Sequence, residues 1–528
     1  GLRSDVVTLY QGGQYNLYRY KKYTDVRLVF APEFQAAFFG GDPDNFNFPR
    51  FNIDMALMRV YENDKPVQVE NYFKWSDEGA KDGDLVFVTG HPGNTSRLNT
   101  VAHLESLRDV SIPLLLRMLE TRRDMLKQYM AQGEEQTRRA QNELNSIENA
   151  LKVFRGQLAG LRDNNLMARK QEAEKSLQAA VAADPSKQKE YGDAWDAIAK
   201  GRKDLAAYER ERRFLELAAG FNTVLFSYAR TLVRLAEENE KPNAERLLEY
   251  TDARRAPLEL SLYSPAPIYD DFEKLKLANS LTFMQSEYGA KHPLVQKVLK
   301  GQTPAARATE LIDKTRLKDV EFRKQLAAGG RKAIAESNDP LIEVARSIDQ
   351  EARAVRKRYE DEVVSVERTN YGKIARALFE KEGTGLYPDA TFTLRLSYGA
   401  VKGYEENGRR VQPFTTLGGL YERAAKFDHK FPYTLPPRWM EKQKELDLKA
   451  PFNFVSTNDI IGGNSGSPTI NKDRELVGLI FDGNIQSLVG NFDYDESVNR
   501  AISVDVRAML EVLRKAFDAG HIADELIK

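Results

Sequence analysis

The chain has 528 residues, 41% hydrophobic and 30% charged, the composition of a globular protein long enough for two or three folding units. Its 78 basic residues balance 78 acidic ones, which leaves no electrostatic footprint for nucleic acid or an anionic membrane. Cysteine is absent, so thiolate metal sites, disulfides and a cysteine nucleophile are excluded together. No apolar run is long enough to span a bilayer, and the sequence opens at Gly1 without an initiator Met or a signal-peptide pattern. It reads as the product of processing or truncation, and any targeting segment is expected upstream.

In chain order, Asp25 to Phe30, Asp54 to Tyr61 and Leu85 to Thr89 are short β-branched or aromatic-rich runs between Gly, Pro, Asn and Asp clusters. They are expected to be strands. From about Leu107 the period changes. Leu115, Leu119, Leu126 and Met130 fall on one helical face, and Leu144, Ile147, Leu151, Phe154 and Leu158 step by three and four. Helical character runs to about Lys381, broken at Asp184-Pro185, at Pro265 and Pro267, and at Asp339-Pro340. The charged run Arg353 to Glu362 is read as a solvated helix face. Strand patterns return at Phe392 to Tyr398 and Leu476 to Phe481, and an apolar-striped helix is expected from about Val506 to Phe517.

The strongest local signal is Gly462-Gly463-Asn464-Ser465-Gly466-Ser467-Pro468, ahead of the strand Leu476 to Phe481. A serine that attacks a carbonyl needs two backbone N–H groups for the developing oxyanion, and glycines let a loop turn those amides inward. The donors would be the amides of Gly463 and Ser465. By spacing alone, a Gly/Ser turn between two strands fits equally well.

GGNSGSP is similar to the nucleophile loop of chymotrypsin-fold peptidases. FGGDPDNFNFPRFNID, TGHPGNT, SIENALK and LPPRW narrow the match, and together they resemble the bacterial dipeptidyl-peptidase 7/11 family over essentially the whole chain. The resemblance implies a chymotrypsin-like double β-barrel with a large all-α domain inserted between the barrels. The expected segments are 1–105, the C-terminal part of a first barrel; 106–382, the helical domain; and 383–528, a second barrel with a C-terminal helix. Ser465 matches the family's nucleophile and Asp54, at the start of a strand, its triad acid. The order of acid before serine is that of chymotrypsin-like enzymes. The family's histidine motif is not found: none of His91, His103, His292, His429 and His521 lies in it. His91 is near Asp54 in sequence, but its loop corresponds to a structural turn of the family. The catalytic histidine is therefore expected on an upstream segment, with this chain alone inactive.

An enzyme that counts two residues must hold the free α-ammonium about two extended residues, roughly 7 Å, from the serine. The resemblance gives this task to Asn45, Phe46, Asn149 and Asp482, with Asp482 supplying the charge. Gly483 occupies the position where some relatives carry Arg for acidic side chains, so a hydrophobic or broad preference before the cut is implied. The reading is a serine exopeptidase releasing dipeptides from oligopeptides, with no cofactor or metal. Periplasmic or surface location in a bacterium and homodimerisation follow from the resemblance alone. Two rivals stand beside it: a chymotrypsin-fold endopeptidase, which would cut N-terminally blocked substrates, and a catalytically incomplete peptide-binding protein.

Overall fold

Two-residue turns with both residues at positive φ fix the short hairpins of this chain, because such turns twist in the same sense as the strands they join. Asn63-Asp64 (φ 54° and 57°) and Asn407-Gly408 (φ 50° and 72°) are of this kind. The architecture comes from a computed structural model that describes residues 2–383 and 385–528.

Strands β1 (Leu2–Leu9) and β2 (Gln14–Lys21) form a hairpin, and β3 (Asp25–Phe30), β4 (Leu57–Glu62) and β5 (Lys65–Pro66) form a three-stranded antiparallel sheet. They are followed by β6 (Lys74–Trp75) and β7 (Leu85–Gly90). Beyond the helices lie β8 (Arg395–Ala400), the hairpin β9 (Tyr404–Glu406) and β10 (Arg409–Val411), then β11 (Phe414–Thr416), β12 (Pro451–Ser456), β13 (Pro468–Asn471), β14 (Glu475–Gly483) and β15 (Ala501–Asp505). The main sheet runs β11-β12-β15-β14-β13-β7-β8, with β6 parallel to β14.

This sheet curls back on itself. Val401 bridges Ser456, and the Thr457 N–H donates to the Ala400 carbonyl at 2.9 Å, which joins the end of β8 to the end of β12. Alternate side chains point inward: Val86, Val88, Phe454, Val477, Ile480 and Val504 are buried. Asn458 pins the seam, its amide reaching the carbonyls of Val86 and Ser397 while its oxygen accepts from Ser456.

Where the C-terminal part of an incomplete first barrel was expected, the described residues form a three-stranded sheet and a hairpin, and the later strands form one closed system. Two expectations are corrected. Leu85 to Thr89 belongs to the closed sheet, paired with β13 and β8; the helical stretch therefore enters between two adjacent strands of one sheet, not between two barrels. Asp54 precedes a strand instead of starting it, since β4 begins at Leu57.

The chain divides into two compact units, 1–104 with 152–194 and 368–528, and 105–151 with 195–367. Helical residues 152–194 thus group with the strands, inside the span 106–382 assigned to a separate domain. The second unit is all helical. On Ile112–Met130 the buried stripe is Ile112, Leu116, Leu119 and Leu126, while Leu115 and Met130 are half-buried. Prolines sit in the first turn of Pro293–Leu299, Pro304–Lys314 and Pro340–Tyr359, where a missing N–H costs nothing. Asp339 caps the last of these, accepting from the amides of Leu341 and Ile342. Within this unit the buried Arg234 pairs with Glu216 and Asp349.

Candidate active site

The loop from Gly462 to Ser467 is fixed from two sides. Gly466 donates to the Ile480 carbonyl at 2.7 Å and Ile480 to that of Ser467 at 2.9 Å, which docks the loop on β14. Asn464 is buried and staples the inside, accepting from the Ile461 N–H and donating to Ser467 Oγ, both at 3.2 Å. Opposite, Gly93 donates to the Gly462 carbonyl at 2.7 Å. A Cβ on Gly463 would stand 2.6 Å from the His91 carbonyl oxygen, and φ there is +111°, so only glycine fits. Ser465 is exposed. Among the described residues, neither the Gly463 amide nor the Ser465 amide donates to a protein acceptor, which leaves both for an oxyanion.

The strand under the loop carries the second half of the site. Asp482 follows Ile480 and Phe481 on β14, and its carboxylate is buried. One oxygen accepts from the Gly483 N–H at 2.8 Å; the other accepts from the Phe46 N–H at 3.0 Å and pairs with the Arg50 guanidinium. Phe46 has φ +60°, a conformation that costs a non-glycine residue about 1–3 kcal/mol and is held here by its N–H bond to Asp482. Arg50, 1% exposed, also donates to the Asp44 carbonyl and to Asn52 Oδ1, each at 2.9 Å. Asp44 is tied to Arg423 and Tyr433, and Lys152 bonds the carbonyls of Asp42 and Asn45.

Asn52 and Asn453 exchange main-chain and side-chain hydrogen bonds of 2.8 and 2.9 Å, anchoring the segment that presents Asp54. Asp54 has solvent-facing surface, yet the protein packed around it pushes its carboxyl above the ordinary range; nearby Arg50 pulls it down and Asp482 pushes it up. A carboxylate, an ion pair and a serine loop therefore meet around the end of β14.

The residues named in advance fall out as follows. Ser465, Gly463, Asp54, Phe46, Asp482 and Gly483 belong to this cluster or border it. Asn45 is buried beside Phe46 and its carbonyl accepts from Lys152. The Asp482 carboxylate is paired with the buried Arg50 guanidinium. A Cβ on Gly483 would meet Ser487 Oγ at 2.5 Å. Asn149 lies in the helical unit, exposed on Glu134–Leu161. The His91 ring packs 6.4 Å from that of Phe392, while His103 Nδ1 bonds the Tyr371 hydroxyl. Sequence reasoning missed Arg50, Asn52, Asn453 and Lys152. A clue to Arg50 stood inside FPRFNID, a lone cation in an apolar and amide run. The described residues hold no group of three or more His, Asp or Glu arranged for a metal, and no helix long and apolar enough to cross a membrane.

An exposed serine on a glycine loop, docked on the strand that carries a buried ion pair, has the features that a serine-type hydrolase requires. The chain belongs to the Peptidase S46 family, which it matches over residues 1–528. It is 28% identical to the Asp/Glu-specific dipeptidyl-peptidase of Shewanella putrefaciens, over 99% of this chain and 77% of that protein. It is 26% identical to the dipeptidyl-peptidase 7 of Phocaeicola vulgatus, over 100% of this chain and 75% of that one. In structure it is similar to Porphyromonas endodontalis DPP11 in complex with the dipeptide Arg-Glu, with a TM-score of 0.79 and 23% identity over 100% of this chain and 78% of the other. Family and relatives together make the chain an enzyme of the serine-type dipeptidyl-peptidase class.

Proposed function

We propose that the protein releases dipeptides from the free N-terminus of oligopeptides by acyl transfer through Ser465. The observation that carries this reading is the gathering of Asp54, the Arg50–Asp482 pair and the Gly463 and Ser465 amides around one strand end. Ser465 Oγ attacks the carbonyl of the second peptide bond, an imidazole takes its proton, and Asp54 orients and stabilises the imidazolium. The two amides hold the oxyanion. The imidazole then protonates the leaving amine, and water releases the dipeptide. None of the five histidines of this sequence bonds Ser465 or Asp54 among the described residues, so the base in this reading is a histidine of the full-length gene product.

The Asp482 carboxylate is assigned to the substrate ammonium, with Asn45 and Phe46 assigned to its orientation. At the residue before the cut, a hydrophobic or broad preference is proposed because Gly483 offers no cation; relatives named Asp/Glu-specific mark the alternative. A periplasmic or surface location and a homodimer belong to the same reading. The test uses the full-length product with dipeptidyl anilides, free and N-acetylated, across a panel of penultimate residues. Turnover of the free amine alone supports the exopeptidase. Equal turnover of both forms supports an endopeptidase, and turnover of neither supports a peptide-binding protein.

A further inference from the structure

The peptide bond between Asn45 and Phe46 lies between two opposite charges. Its carbonyl accepts from the Lys152 ammonium at 3.2 Å, and its N–H donates to the Asp482 carboxylate at 3.0 Å. A trans peptide unit is planar, with C=O and N–H pointing opposite ways. A cation at one end and an anion at the other therefore favour one orientation of the unit and oppose the flipped one. The unit needs that hold: Phe46 has φ +60°, a conformation that a non-glycine residue keeps only when its surroundings impose it.

The other carbonyls of this turn are accounted for. Lys152, on the helix Glu134–Leu161, also takes the Asp42 carbonyl. Asn47 Nδ2 donates to the Pro43 carbonyl at 2.8 Å and reaches that of Asn45 only at 3.5 Å, and Arg50 takes the Asp44 carbonyl at 2.9 Å. The Asp42 carboxylate, 3.2 Å from Lys152 Nζ, balances the ammonium. Lys152 is thus the charged group that holds the Asn45–Phe46 unit from the end opposite Asp482.

We infer that Lys152 is a positioning residue of substrate binding: by holding the Asn45 carbonyl, its ammonium keeps the Phe46 N–H on Asp482, and with it the direction in which Asp482 and the Phe46 ring face the substrate ammonium. This inference rests on the dipeptidyl-peptidase reading above, which gives Asn45, Phe46 and Asp482 that task. Lys152 acts through the peptide unit, not on the substrate.

The experiment compares wild type with Lys152→Met, Lys152→Gln, Lys152→Arg and Asp42→Asn in the full-length product. The first readout is the rate of Ser465 labelling by a small neutral sulfonyl fluoride, which makes no use of an ammonium site. The second is kcat and KM for a free-amine dipeptidyl anilide. Loss of one charge-assisted hydrogen bond behind the clamp is expected to raise KM about tenfold in Lys152→Met. Both kcat and the labelling rate stay near wild type, the pattern of an interaction made equally in ground and transition states. Lys152→Gln, which keeps a donor without the charge, falls between, and Lys152→Arg restores most of the loss. Asp42→Asn leaves the ammonium on both carbonyls and stays near wild type, which separates the hold on the peptide from the ion pair. A wild-type KM in Lys152→Met overturns the inference. So does a fall of kcat and labelling along with the rise in KM, as general loosening would cause, or an Asp42→Asn variant as impaired as Lys152→Met. Should Lys152→Met fail to fold, the other two decide: a higher KM in Lys152→Gln than in Lys152→Arg at unchanged kcat supports the role, and equal KM values overturn it. If wild type neither labels at Ser465 nor releases dipeptides, the hydrolase reading falls, and this inference with it; normal wild type with an unmoved KM in the variants sinks only the role of Lys152.

Discussion

Asp54 shows how function and stability oppose each other at one carboxyl. Its proton affinity is raised above the ordinary aspartate value of 3.8 by burial, and further by Asp482, against the pull of Arg50. The folded state therefore holds its proton more tightly than the unfolded chain. The stability this group contributes is fully present below the unfolded value and is lost as pH rises through the folded one. Asp54→Asn should melt higher than wild type near pH 7, with the difference shrinking below about pH 4, as scanning calorimetry across pH would read. The same variant should lose about 10⁴-fold in kcat. At Gly483 the constraint is steric. Because a Cβ there meets Ser487 Oγ at 2.5 Å, Gly483→Arg alone should lose about 1–3 kcal/mol of stability from overpacking. Adding Ser487→Gly should recover the melting temperature and shift the kcat/KM ratio from apolar toward acidic residues before the cut.

At the scale of elements, the Gly90–Gly93 turn and the Gly462–Gly466 loop act as a matched pair. A Cβ on Gly93 would stand 2.4 Å from the Gly462 carbonyl oxygen, and that oxygen sits on backbone that cannot swing aside. Gly93→Ala should displace the oxyanion donors and lower kcat by about 10²–10³, with a smaller change in KM, measured on the free-amine anilide. The serine loop was legible in the sequence because its glycines answer a local backbone demand. The partner of Leu85–Thr89 was not. Alternation of side chains identifies a strand and its inward face, but only the register with β13 and β8 says which sheet it joins. Arg50 escaped for a related reason: its acid partner lies on β14, far along the chain, and no local pattern joins them. Leu115 and Met130 were placed on the right helix but on the margin of its buried stripe, since the helical period is legible and the facing element is not.

At the scale of the molecule, both compact units bury apolar side chains and each also buries ion pairs: Arg50 with Asp482 in the strand-bearing unit, and in the helical unit a network in which Arg234 meets Glu216 and Asp349, and Arg353 meets Glu238 and Asp349. Removing one member strands the opposite charges in a low-dielectric interior. Arg234→Met should therefore cost the helical unit about 3–5 kcal/mol, seen in denaturant as an earlier loss of helical circular dichroism. Labelling of Ser465 in native buffer should stay near wild type.

The splice between β7 and β8 carries a consequence for assembly. Leu85 and Ala400 are side-by-side partners, yet roughly 300 residues intervene, and bringing such distant ends together costs about 4 kcal/mol more entropy than a tight hairpin. Folding of the intervening helices shortens that path and lowers the cost. The wall that supports the serine loop is complete only once β8, far along the chain, has been made and paired with β7, so a polypeptide still short of β8 should be proteolytically silent.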